Sequence, residues 1–148
     1  MVTDKSALAG WRGNASNPAN FQILPEAFDK SPLAGFVSQD DPRWHAALTW
    51  VVYATFEAEE HGITSANLST FVKTTDPYLQ KFLGVNGTLG KDFGLQPDFV
   101  QKIIAAEGNY GEIYDRNIGP KTPYSIDRKG SLNAAWNDGG MMYSPPWY

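Results

Sequence analysis

Hydrophobic positions fall into short periodic blocks separated by proline, glycine and acidic caps, and these blocks predict a largely helical chain. The clearest block follows Asp41-Pro42, where a capping carboxylate precedes a proline at the first helical position. Residues 42–61 then carry Trp44, Leu48, Val51, Thr55 and Ala58 at alternating steps of four and three, which aligns them on one helical face. Trp50, Tyr53 and Ala54 widen that face, so this helix is expected to be the most buried element. Gly62 suits a left-handed cap after His61, and a cationic His61 suits the negative helix end. Residues 5–13 place Ala7, Leu8 and Trp11 on one side behind Asp4, a candidate cap. Residues 65–74 turn Leu68, Phe71 and Val72 inward. Asp76-Pro77 opens a helix with Leu79, Phe82 and Leu83, stopped by Gly84, and 84–94 reads as a glycine-rich loop. Pro97 opens another helix with Phe99, Val100, Ile103 and Ile104. A further helix is expected over 108–117, and a last helical segment over 131–136. Two runs look extended: Phe21 to Leu24, stopped by Pro25, and Pro32 to Ser38 with Leu33, Phe36 and Val37. The sum is about six helices and two or three short strands. A sheet that small cannot form the core of an α/β domain, so part of the fold is expected to lie outside this chain.

Composition narrows the function classes. The 148 residues are 42% hydrophobic and 19% charged, a globular balance. A net charge of -4 with scattered basic residues supplies no face for nucleic acid or anionic lipid. The absence of cysteine removes disulfides, thiol chemistry and Cys-ligated zinc. There is no apolar run long enough to span a bilayer. Met1 to Ser6 lacks the apolar core of a signal peptide, so none is expected within this chain.

Candidate chemistry is sparse. His45 and His61 lack metalloprotease spacing and read as a helix surface and a helix end. Glu57, Glu59 and Glu60 crowd one helix; paired carboxylates can hydrolyse glycosidic bonds, but neighbours in sequence more often face water. Gly84, Gly87 and Gly90 precede Lys91, yet Asp92 stands where a phosphate-binding loop needs Ser or Thr. Trp44 and Trp50 read as core, and the role of Trp147 stays open. Neither a metal site nor a cofactor is expected, and no catalytic constellation emerges.

Longer phrases carry a resemblance. Val2-Thr3-Asp4-Lys5-Ser6-Ala7-Leu8 looks like a strand end and helix start in the smaller lobe of type II amino-acid-binding proteins. Ile23-Leu24-Pro25-Glu26, Lys30-Ser31-Pro32-Leu33 and Gln39-Asp40-Asp41-Pro42-Arg43-Trp44 resemble the segment that leaves that lobe and re-enters lobe one. Glu57-Ala58-Glu59-Glu60-His61-Gly62-Ile63-Thr64-Ser65-Ala66-Asn67 is similar to the family's next helix and turn. Gly108-Asn109-Tyr110-Gly111-Glu112-Ile113-Tyr114-Asp115-Arg116-Asn117 is a long match, and Leu132-Asn133-Ala134-Ala135-Trp136 with Gly139-Gly140-Met141-Met142-Tyr143-Ser144-Pro145-Pro146 looks like the family's C-terminus. The family is the periplasmic general L-amino-acid-binding proteins of polar amino-acid ABC transporters, and the resemblance runs in order over essentially the whole chain.

The resemblance implies an incomplete α/β fold of the type II periplasmic-binding-protein kind, mainly helical with two or three short strands. Residues 1–30 would be a remnant of the second lobe, 31–40 the hinge crossing, and 41–148 the helical C-terminal part of lobe one. It implies amino-acid capture without catalysis, in the periplasm, with a polar L-amino acid as ligand and a membrane permease as partner. Asp4 would bind the substrate's α-ammonium through a charge-assisted hydrogen bond. No arginine here, among Arg12, Arg43, Arg116 and Arg128, sits in a motif for the α-carboxylate, so that partner is expected from the missing front. Self-association or a complementing chain is expected to cover the bared surface. The rival expectations are a truncated assembly module and a glycan-acting enzyme using the Glu57–Glu60 cluster.

Overall fold

The computed structural model describes residues 1–148. Seven helices follow one another: α1 (Lys5–Gly13), α2 (Pro42–Glu60), α3 (Leu68–Phe71), α4 (Pro77–Phe82), α5 (Leu89–Asp92), α6 (Phe99–Glu107) and α7 (Tyr110–Asn117), with 3-10 turns at Pro18–Asn20 and Trp136–Asp138. No helix is long and apolar enough to cross a membrane.

Cap chemistry sets most of the boundaries. The Asp41 carboxylate accepts the Trp44 amide at 2.9 Å, and Pro42 occupies the first turn of α2, where a missing N–H costs nothing. Asp76 accepts the amides of Tyr78 and Leu79 and starts α4 the same way. Asn109 and Glu112 form a reciprocal capping box at α7. Gly84 ends α4 in a left-handed conformation, φ 65°, and a β-carbon there would overlap the Pro97 carbonyl.

The main core lies where α6 packs on α2 and is completed by residues of α3 and α4, while α7 packs on α2 beside it. Small side chains on α2, Ala54 and Ala58, are fully buried and admit Val100 and Ile104 of α6. Trp147 returns from the C-terminal tail into the centre of this core, 1% exposed. Its ring sits 5.0 Å from Trp50 and 5.1 Å from Phe82, both edge-on. A smaller cluster joins Ala9 of α1 to Tyr114 and Ile126.

Several expectations need correction. Trp44 is 52% exposed, and Leu48 and Val51 are only half-buried. The buried positions of α2 are Ala47, Ala54, Thr55, Glu57 and Ala58. The packing partners meet the C-terminal part of α2, so its first turns stand clear of the core. The two or three short strands are absent; the one β-bridge joins Ala135 to Met142. Residues 22–40 form no backbone–backbone hydrogen bond. A strand exists only beside a partner, and none lies along this segment. Most of its apolar side chains stay in solvent, Phe28 at 84% and Phe36 at 97% exposure, while Ile23 packs partly against the cluster around Ala9.

Shorter differences follow the same logic. The helix expected over 65–74 shrinks to α3, and α5 forms inside the expected glycine loop. Residues 131–136 do not form a helix. The Trp136 amide donates to the Met142 carbonyl, and a β-carbon at Gly140 would overlap the Ala134 carbonyl. The tail backbone therefore occupies the room that a helical turn would need.

Candidate functional site

Asp4 stands at the N-cap of α1, and its backbone carbonyl accepts the Leu8 amide at 3.0 Å. Its side chain makes no capping hydrogen bond and is exposed. The carboxylate is thus held at a helix start with its oxygens unengaged. α1 is seated by Ala9 against Tyr114 and Ile126, and Arg12 Nη2 donates to the Tyr124 carbonyl at 3.4 Å.

Two other arginines are committed within the fold. Arg116 pairs with Glu107 at 2.9 Å and also donates to its carbonyl. Arg128 forks onto Glu59, with Nη1 to Oε1 at 2.6 Å and Nη2 to Oε2 at 3.1 Å, while its guanidinium lies 5.1 Å from the Tyr110 ring centre. Arg43 is exposed at the start of α2.

The three glutamates at the end of α2 take separate partners. Glu57 is 3% exposed and accepts from the Tyr78 hydroxyl, with His61 Nε2 at 3.1 Å. Glu59 goes to Arg128, and Glu60 accepts Trp136 Nε1 at 2.7 Å. They do not form an acid–base pair. Burial, joined by the hydrogen bond to Glu57, pushes the Tyr78 phenol well above its ordinary value. Tyr78 therefore stays a donor at every physiological pH. His45 lies exposed on α2.

Sequence reasoning overlooked a cavity at this end of α2. It measures about 580 Å³ and is lined by Glu57, Glu60, His61, Tyr78, Trp136, Tyr143, Ser144, Pro146 and Tyr148. The available signal was Glu57, Glu60 and His61 at helical spacing, together with an aromatic tail. What hid it was distance along the chain: the tail lies about ninety residues from the helix it meets. No set of acidic and histidine side chains converges as a metal site.

No protein-family model matches the chain. Among curated proteins, it is 43% identical over 147 residues to the glutamate/glutamine/aspartate/asparagine-binding protein BztA of Rhodobacter capsulatus, covering 99% of this chain and 43% of that protein. It is 42% identical to the general L-amino acid-binding periplasmic protein AapJ of Rhizobium johnstonii, over 98% of this chain and 42% of that one. It is 37% identical to the putative amino-acid ABC transporter-binding protein YhdW of Escherichia coli, over 99% of this chain. The fold matches a solved ABC transporter periplasmic binding protein from Brucella ovis with glutathione bound, with a TM-score of 0.91 and 43% identity, covering 99% of this chain and 46% of that one. The chain spans less than half the length of the curated relatives it matches. Its sequence and its helical architecture agree with the same region of these proteins, and the chain is a homologue of the C-terminal part of the periplasmic amino-acid-binding proteins of ABC transporters.

Proposed function

We propose that this chain is the C-terminal part of a periplasmic solute-binding protein that captures amino acids and delivers them to an ABC permease. The observation that carries the reading is identity of 37–43% across 99% of the chain with binding proteins of this kind. In that reading residues 1–30 belong to the second lobe, 31–40 to the hinge crossing and 41–148 to lobe one. Closure of two lobes around the ligand would be the working motion.

Asp4 supplies the carboxylate for the ligand's α-ammonium. Its unengaged, solvent-facing side chain supports this role, because no competing cap bond has to break. A zwitterion also needs a cationic partner for its carboxylate. Arg116 and Arg128 are already paired with glutamates, and Arg12 and Arg43 sit in no motif for a carboxylate, so we assign that partner to the front part. The 148-residue chain is therefore not ligand-competent by itself.

Calorimetry tests both halves. Titrating glutamate or glutamine into the 148-residue chain is expected to give no saturable heat. In a chain completed with its front part, Asp4→Ala is expected to weaken binding by about 1.5–3 kcal/mol, the range for a hydrogen bond to a charged group. Unchanged affinity removes Asp4 from the site, and micromolar binding by the isolated chain overturns the division of labour between its parts.

A second reading, a stand-alone assembly module, is favoured by one feature: the exposed apolar segment around Phe28, Leu33 and Phe36. It predicts a defined oligomer of the isolated chain that gains no amino-acid affinity when a front part is added.

A further inference from the structure

We propose that the cavity at the C-terminal end of α2 binds an organic cation, an alkylammonium or guanidinium group, between aromatic rings and two carboxylates. The inference is independent of the amino-acid capture proposed above. It uses none of the residues assigned to that role.

Glu57 carries the argument. Its side chain is 4% exposed, and both of its hydrogen bonds fall on Oε1, from Tyr78 and His61. Oε2 accepts none, although the residue lines the cavity. Oε2 is not sealed from solvent, so water meets it in the cavity, and an entering organic cation would replace that water with a charge-assisted contact. Glu60 repeats the pattern: Oε2 accepts Trp136 Nε1, and Oε1 is left over. The cavity wall therefore presents two carboxylate oxygens without partners. It contains no lysine or arginine, and His61 is the one lining group able to carry positive charge.

The remaining wall selects the kind of cation. Tyr78, Trp136, Tyr143 and Tyr148 supply aromatic rings to the wall, and the latter three are more than half exposed at the rim. Aromatic faces attract diffuse, weakly hydrated cations such as guanidinium and alkylammonium groups. A small hard ion would need several converging oxygen ligands, and no such set is present. A volume of about 580 Å³ accommodates a small amine or one basic side chain. Such a group has two sources: a free metabolite, or a Lys or Arg projected by a protein partner.

Titration calorimetry on the 148-residue chain separates them. The free-cation arm uses choline and agmatine, with 3,3-dimethylbutan-1-ol as the neutral isostere of choline. The peptide arm uses a Gly-Ser peptide with one central Arg, with citrulline in the control. At least one cation is expected to saturate, with its neutral counterpart at least tenfold weaker. Glu60→Gln is expected to weaken that binding at least fivefold. Tyr148→Ala, at a residue 84% exposed and outside the core, is expected to weaken it about threefold with unchanged helix content by circular dichroism. Saturation by choline or agmatine identifies a small-molecule site, and saturation by the Arg peptide alone identifies a docking point. The proposal is overturned if no cation saturates, if the neutral compounds bind equally, or if neither substitution alters affinity.

Discussion

At the scale of single residues, Asn109 does more than its loop position suggests. Its side-chain oxygen caps α7 by accepting the Glu112 amide, and Nδ2 donates to the Ile63 carbonyl at 2.9 Å. Removing it deletes a cap and leaves a carbonyl unpaired at a fully buried residue. Asn109→Ala is expected to cost about 2–4 kcal/mol in urea unfolding, the sum of those two effects. Glu112 completes the box and also accepts the Ser65 hydroxyl at 2.6 Å. Partial burial opposes its ionisation, but hydrogen bonds from Ser65 and from the Asn109 amide outweigh it, so its carboxyl titrates below the ordinary 4.5. A lowered folded value means stabilisation that is complete above 4.5 and lost as pH falls through the folded value. Glu112→Gln keeps much of the capping geometry and removes the charge. Its stability deficit is expected to be full at pH 7 and to shrink as the pH falls below 4.5 and through the lowered folded value. A deficit that is flat across this range in urea melts would show that charge plays no part.

At the scale of elements, the helices with caps were legible and the contact faces were less so. Asp41-Pro42 and Asp76-Pro77 each fix a helix start with local chemistry, and α2 and α4 begin there; α7, expected from residue 108, starts at Tyr110 because of the Asn109/Glu112 box, which periodicity does not mark. The buried face of α2 depends on what packs against it, which periodicity cannot supply. Of the expected face, Ala54, Thr55 and Ala58 are buried, whereas Trp44, Leu48 and Val51 are not; Ala54 and Ala58 are fully buried because small residues let α6 approach. A direct comparison follows. Ala58→Leu is expected to destabilise by about 1–3 kcal/mol through overpacking. Trp44→Ala, at a residue half in solvent, is expected to stay within about 0.5 kcal/mol of the parent. The strands failed for a related reason: alternation at Phe21–Leu24 is a local signal, while pairing requires a second strand. The ligand role proposed for Asp4 rests on resemblance, since its type and position fit a cap equally well. The cation cavity needs the meeting of α2 with the C-terminal tail, which no local pattern encodes.

At the scale of the whole molecule, two quantities stand out. The accessible surface is 10133 Å² for a mass of 16.3 kDa, against roughly 7,500 Å² for a compact monomer of that size. Only 23 of 148 residues are buried. The surplus surface exceeds the roughly 800 Å² that one partner contributes to a standard interface. Light scattering on the isolated chain is expected to give a mass above 16.3 kDa, and a monodisperse monomer would contradict that expectation. The compact part hangs on the tail: Trp147 touches rings from α2, α4 and α6. Trp147→Ala is expected to cost about 3–5 kcal/mol, at the upper end for core truncations, read as a shift in the guanidinium midpoint.

The unpaired stretch from residue 22 to residue 40 also acts as a tether. α1 rests on the body through one fully buried residue, Ala9, and a thin rim of partly buried neighbours. A contact that small would not hold two separate molecules together. It persists because about twenty residues of chain keep α1 at an effective concentration roughly in the millimolar range. One peptide-bond cleavage inside the tether would abolish that advantage. α1 would then diffuse away and take Asp4 with it, while the body formed by residues 41–148 kept its core. The carboxylate proposed for ligand capture thus depends on the integrity of a segment that no backbone hydrogen bond secures.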